Sequence, residues 1–282
     1  MRKLLMIVIA ALSIVACDVN GDKKSEPKNG TLLLDSISES TKMKVGTQQI
    51  ECEAELFYPK EIESIKKDLA ELVKQLGQGD DFDGYPDTVK IDTTDIKSLV
   101  NYLVHSKAEW LKGNFSDENA DPDDIPLAYE LKVYVLEETT KYITMEVKET
   151  TLYGGPHPRF TTYGITYLKP DGKKVETSDL SSSKTDDIKN ELLKKVNAYI
   201  GGLIEGEEYK VEDVLYNKKD DGTIEPLEFP YNGIYIESDS VIFPYQIEEL
   251  TAFTFGQPEI KISLKEMKEN GWLGKSLSEI TE

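Results

Sequence analysis

Cationic residues, histidine and cysteine are all scarce in this sequence. The 282 residues include 33 Lys and Arg against 53 Asp and Glu, a formal net charge of −20. A surface this acidic repels phosphate, which excludes nucleic acid as a partner. Two cysteines are too few for a disulfide framework. The two histidines, His105 and His157, lie far apart and share no metal-ligand spacing. No G-x-S-x-G, H-E-x-x-H, C-x-x-C or phosphate-loop pattern occurs. No catalytic residue, metal or cofactor is therefore expected, and the protein does not read as an enzyme. Hydrophobic residues reach 39%, under the ~45–50% of average domains, a range that also counts glycine. Aromatics at 9%, with 15 Tyr, still leave enough for a packed core.

Long apolar runs are missing too, apart from one at the start. Residues Met1 to Cys17 read MRKLLMIVIAALSIVAC. Arg2 and Lys3 form a positive flank, and Leu4 to Ala16 form an uncharged apolar stretch. It is shorter than the ~20 residues of a transmembrane helix and has the layout of a signal peptide. Ile14-Val15-Ala16-Cys17 resembles a bacterial lipobox, in which the cysteine becomes a lipidated, palmitate-bearing N-terminus. Cleavage would remove Arg2 and Lys3 and take the net charge from −20 to −22. Cys52 is then left without a partner and reads as a small buried side chain on a strand. Residues 18–30, polar with Gly and Pro and without periodicity, read as a flexible tether.

Two modules are expected beyond the tether, 31–127 and 128–282. In the first, Lys42 to Tyr58 reads as one strand, with Ile50, Cys52, Ala54 and Leu56 alternating against Glu51, Glu53 and Glu55. Ile62, Ile65, Leu69, Leu72, Val73 and Leu76 follow at helical spacing, with Gly77 as a stop. A second helix carries Ile96, Leu99, Val100, Leu103 and Leu111, with Thr93 or Thr94 as cap and Gly113 as stop. His105 falls off that apolar stripe and is expected to be exposed.

In the second module, Tyr129, Leu131, Val133 and Val135 alternate, and so do Ile143, Met145 and Val147 after a polar connection, as in a hairpin. A third strand spans Thr161 to Leu168. A helix is predicted through Ile188, Leu192, Leu193, Val196, Tyr199 and Ile200, capped at Thr185 or Asp186 and stopped at Gly201-Gly202. Strands follow at Gly233 to Glu237, Ser240 to Tyr245 and Glu259 to Ser263. Strands sit in runs, which predicts an α+β fold of antiparallel sheets with amphipathic helices packed on one face.

Acidic clusters at Asp80 to Gly84, Asp121 to Asp124 and Asp220 to Gly222 lack the register of a calcium loop and read as solvated turns. One loop stands apart. Tyr153-Gly154-Gly155-Pro156-His157-Pro158-Arg159 joins two predicted strands, and its glycines permit φ > 0 while its prolines fix φ. Either it is a tight crossover with His157 bonded to backbone, or a recognition loop presenting Tyr153, Gly154, Gly155, His157 and Arg159.

The stretch TLYGGPHPRFTTYGITYLKPDGKKVETSDL resembles the core of the RsiV-like extracytoplasmic domain. Phe243, Pro244-Tyr245-Gln246-Ile247, Gly256 and Ile260-Lys261-Ile262 resemble its closing segment. AELFYPK and the following helix resemble the companion module that precedes this domain, also found in PdaC-like peptidoglycan deacetylases. The resemblance spans roughly Lys42 to Lys268. It implies an α+β fold outside the cytoplasm and, from an anti-sigma member whose outer domain binds lysozyme, a lysozyme-like partner. The sigma-binding segment and transmembrane helix of that member are not found in this sequence, so its anti-sigma role is not expected here. Nor is the separate catalytic domain of the deacetylases.

The expected protein is thus a binding protein of the bacterial cell envelope, held to a membrane by a lipid on Cys17, with the outer membrane favoured. Its partner would be lysozyme or a similar cationic muramidase. The alternative is a module that recognises peptidoglycan or another glycan, or that supports an enzyme.

Overall fold

The computed structural model describes residues 32–77, 95–117, 126–154, 157–169, 171–204, 206, 210–216, 218–219 and 225–281. The expected signal segment with Cys17, the expected tether and the three acidic clusters lie outside the described residues.

The chain opens with a hairpin where one strand was expected. Strand β1 (Leu34–Val45) and strand β2 (Gln48–Pro59) pair antiparallel with Val45 opposite Gln48. Gly46 makes the reversal at φ +57°, a conformation that favours glycine at the first turn position. Helix α1 (Glu63–Leu76) buries Ile65, Leu69, Ala70 and Val73 and ends at Gly77. Helix α2 (Ile96–Phe115) starts at Asp95 in place of Thr93 or Thr94. The Asp95 carboxylate accepts the backbone N–H groups of Lys97 and Ser98 at 3.2 and 3.3 Å, satisfying two helix-end donors. The helix passes Gly113 because Phe115 in its last turn packs edge-on against Trp110, with centroids 5.0 Å apart. His105 is exposed on it.

Strands β3 (Leu127–Glu138), β4 (Tyr142–Leu152), β5 (Arg159–Leu168) and the two-residue β6 (Lys173–Lys174) complete a sheet of order β1-β2-β3-β4-β5-β6. Every neighbouring pair is antiparallel except β2 and β3, which run parallel from Ile50 opposite Leu127 to Leu56 opposite Val133. A parallel pair needs a crossover, and α1 and α2 supply it. The division drawn at 127/128 falls at the start of β3, and the sheet is continuous across it. One sheet face packs Ile50, Leu56, Leu131, Val133, Met145 and Val147 against the apolar sides of α1 and α2. Cys52 lies in that layer. Burial pushes its thiol up to about 12, against the opposing pull of the Tyr129 backbone and Lys107.

A second core forms around α3 (Thr185–Leu203), the single turn α4 (Val211–Val214), strands β7 (Tyr235–Glu237), β8 (Ser240–Pro244) and β9 (Glu259–Ser263), and the short helices α5 (Leu264–Glu269) and α6 (Lys275–Ile280). The three strands form their own antiparallel sheet, β7-β8-β9. Helix α3 begins at Thr185 with no side-chain cap and runs through both Gly201 and Gly202. Burial of Ile200 and Ile204 in this core, with the Ile204 N–H on the Ile200 carbonyl at 3.0 Å, holds the last turn helical against the glycine preference. The architecture is α+β, with antiparallel pairing dominant.

The two sheets meet along β4 and β5. Thr144 and Thr166 are buried there, with their hydroxyls 2.8 Å apart. The Thr144 hydroxyl donates to the Ile236 carbonyl at 2.7 Å, and the Ile236 N–H donates to Thr166 Oγ1 at 2.8 Å. Gly164 lies beside them; a Cβ there would stand 2.3 Å from Cγ of Tyr235. The small sheet is thereby fixed against the large one. Among the described residues no helix is long and apolar enough to cross a membrane.

Candidate functional site

The same two strands form an open cleft at their other end. Strand β4 ends at Leu152 and β5 begins at Arg159, and the intervening loop carries the Gly-Gly-Pro-His-Pro sequence. Gly154 adopts φ +89°, in the region that favours glycine, and among the described residues a Cβ there would come no nearer than 3.9 Å, to Leu127. Gly155 lies outside the described residues.

The cleft has a volume of about 580 Å³, within the range of small-ligand sites. Tyr153, His157, Pro158, Arg159, Phe160 and Thr161 form one wall, and Tyr231, Gln246, Ile247, Glu248, Glu249 and Phe253 form the other. Tyr153, His157 and Arg159 are therefore together at the cleft, while Gly154 shapes the loop behind them. His157 packs its ring on Phe253, with centroids 5.3 Å apart. Tyr153 continues a row of rings, 5.0 Å from Phe115, which in turn meets Trp110.

The far wall is held by Glu249. Its carboxylate accepts the Gln246 N–H at 2.7 Å and the Tyr231 N–H at 2.9 Å, so one side chain locks two loops. Burial raises its pKa above the ordinary glutamate value, with those two N–H donors pulling the other way. Gln246 also donates its side-chain amide to the Thr162 carbonyl at 3.2 Å, tying this wall to β5. Gln257 donates to the same carbonyl and, at 3.0 Å, to Gln246 Oε1. Glu248 sits at φ +64°; it and Ser238 are the two non-glycine residues in the left-handed region among the described residues. Such strain persists where surrounding structure enforces it, here by the bonds on either side of Glu248. Tyr231 projects from the turn Pro230 to Gly233 and is 83% exposed.

Sequence reading found one wall and missed the other. Pro230-Tyr231-Asn232-Gly233 carries a turn signature, and Tyr245-Gln246-Ile247 belongs to the quoted closing segment, yet nothing local says that both turns face Tyr153 across the chain. Among the described residues no group of three His, Cys, Asp or Glu side chains is close enough to hold a metal ion. The cleft can stack, donate and accept hydrogen bonds and offer carboxylate charge, which are the properties of a binding site.

Fold and cleft together define an α+β protein with an open, aromatic-lined cleft. No family model and no curated protein matches the sequence. Solved structures do match. A DUF3298 family protein from Pseudomonas aeruginosa superimposes with a TM-score of 0.53 at 12% identity, over 88% of this chain and 96% of that one. A DUF3298 member from Bacteroides fragilis gives 0.57 at 16% identity, over 89% and 98%. The chain has the fold of DUF3298 proteins; at these identities the likeness is one of fold.

Proposed function

We propose that this protein is an RsiV-like binding protein of the bacterial cell envelope, anchored by lipid on Cys17, that captures lysozyme or a similar cationic muramidase. It is not an enzyme in this reading. The observation that carries it is the cleft of about 580 Å³ beside the Tyr153 to Arg159 loop, with its exposed rings and carboxylates. The net charge of −20 supplies long-range attraction for a basic partner, which raises the association rate and is screened beyond ~8 Å at physiological salt.

Titration calorimetry of the full chain in detergent with C-type lysozyme, at low salt and at ~0.5 M salt, tests the reading. Binding that weakens but persists at high salt supports a specific interface with an apolar centre. Heat at low salt only reduces the contact to charge attraction, and no heat at either defeats it. The aromatic lining also suits a glycan, so sedimentation with peptidoglycan sacculi is the paired measurement. Sacculi binding without lysozyme binding makes the protein a glycan-recognition module.

A further inference from the structure

A second recess of about 240 Å³ also has Tyr231 in its wall, together with Asp68 and Glu71 of α1 and Tyr163 and Ile165 of β5. The first recess uses Arg159 and Thr161 of the same strand. Alternate residues of a strand share a face, so Arg159, Thr161, Tyr163 and Ile165 lie on one face of β5, and Tyr231 stands in the wall of both recesses. From Arg159 to Ile165 the strand makes six steps of ~3.3 Å each, a span of ~20 Å.

We propose that the two recesses form one groove along β5, that Tyr231 is a clamp over it, and that the occupant is an extended basic segment of the protein partner. This deepens the binding-protein reading and rests on it. The length matches about six residues of extended chain. Four carboxylates line the two recesses, Asp68 and Glu71 in one and Glu248 and Glu249 in the other, against Arg159 and Lys174 in the walls and Lys74, which pairs with Glu71 at 3.3 Å. With the chain at −20, that balance favours a basic occupant on both sides of the clamp. Tyr231 itself is preorganised. Its N–H is held by Glu249, and its turn is closed by the Gly233 N–H on the Pro230 carbonyl at 2.9 Å, with Gly233 at φ +77°. A ring 83% exposed on a locked turn contributes little to the core and offers a large contact face at low entropic cost.

The test uses the full chain in detergent, three probes and three variants. The probes are C-type lysozyme, the hexapeptide Ala-Lys-Ala-Lys-Ala-Lys, and a hexamer of N-acetylglucosamine. Tyr231→Ala should weaken both lysozyme and the hexapeptide roughly tenfold. Glu71→Gln and Glu248→Gln should each weaken the hexapeptide about two- to fourfold, and all three variants should melt like the wild type. Nε-acetylation of the peptide should abolish its binding. Hexapeptide binding that depends on Tyr231, without lysozyme binding, supports the groove assignment while removing lysozyme as partner. Equal lysozyme binding by wild type and Tyr231→Ala overturns the clamp and leaves the binding-protein reading intact. Tyr231-dependent binding of the sugar hexamer without the peptide overturns the basic occupant, and so does binding of no probe.

Discussion

Strands β4 and β5 meet segments from later in the chain at a seam and at a cleft, and the two contacts are built on opposite terms. At the seam with the small sheet, Thr144, Thr166 and Ile236 satisfy one another in a buried triangle, and Gly164 leaves no room for even a methyl group. At the cleft, a few residues away on the same strands, Tyr153, His157 and Phe160 stand open to solvent or half-buried, and Gly154 has space around it. One glycine is required by crowding and the other by its dihedral angle. The closed end fixes where the small sheet sits, and this sets where the small sheet's loops, with Gln246, Glu249 and Phe253, face the β4–β5 loop. Rigidity at the seam is thus what positions the open wall of the cleft.

The largest expected effect separates the two glycines. Gly164→Ala places a methyl 2.3 Å from the Tyr235 ring, so the small sheet must shift, at a cost of about 3 kcal/mol. Gly154→Ala meets no atom of the described residues nearer than 3.9 Å and is expected to cost the strain of φ +89°, about 1–2 kcal/mol. Urea unfolding of both variants checks this. Equal losses would mean that the seam yields more readily than its geometry implies.

The triangle gives the next effect. Thr166→Val leaves the Ile236 N–H buried without an acceptor, and Thr144→Val leaves the Ile236 carbonyl without its donor. Each is expected to cost roughly 1–3 kcal/mol. The double variant should lose less than the sum, because the Thr144–Thr166 bond is counted in both single changes. Strict additivity in unfolding experiments would show that the two hydroxyls act independently.

The closed parts were far more legible in the sequence than the open ones. The alternation of Ile50, Cys52, Ala54 and Leu56, and of Tyr129, Leu131 and Val133, marks the face that is buried, because burial acts on every second residue of a strand. Strand β1 escaped notice since it lies at the sheet edge and buries only Ile37 fully, so its pattern is mostly polar. Thr93, Thr94 and Asp95 can all cap a helix, and the choice of Asp95 is made by backbone geometry that composition does not carry. Gly201 and Gly202 stay helical because the core on both sides of them outweighs propensity. For the candidate site, the Tyr153 to Arg159 loop announced itself by conflicting demands on φ. Tyr231 and Glu249 did not, since their role comes from a wall brought in from later in the chain.

The smallest effect, and the one confined to the cleft, is the pH dependence of Glu249. Burial raises its folded pKa above the ordinary value of 4.5, despite the N–H donors of Gln246 and Tyr231. A carboxyl with a raised folded pKa binds its proton more tightly in the folded state. Its ionised form is therefore a penalty at neutral pH, relieved as pH falls through the raised value and fully relieved below ~4.5. Glu249→Gln removes the titration, so the melting temperature of the wild type should rise relative to this variant as pH is lowered from 7 toward 4.5. Parallel melting curves across that window would show that solvent reaches the carboxylate. The seam groups do not titrate, so Thr166→Val should track the wild type through the same window. A pH response present in Thr166→Val and absent in Glu249→Gln assigns the titration to the cleft wall.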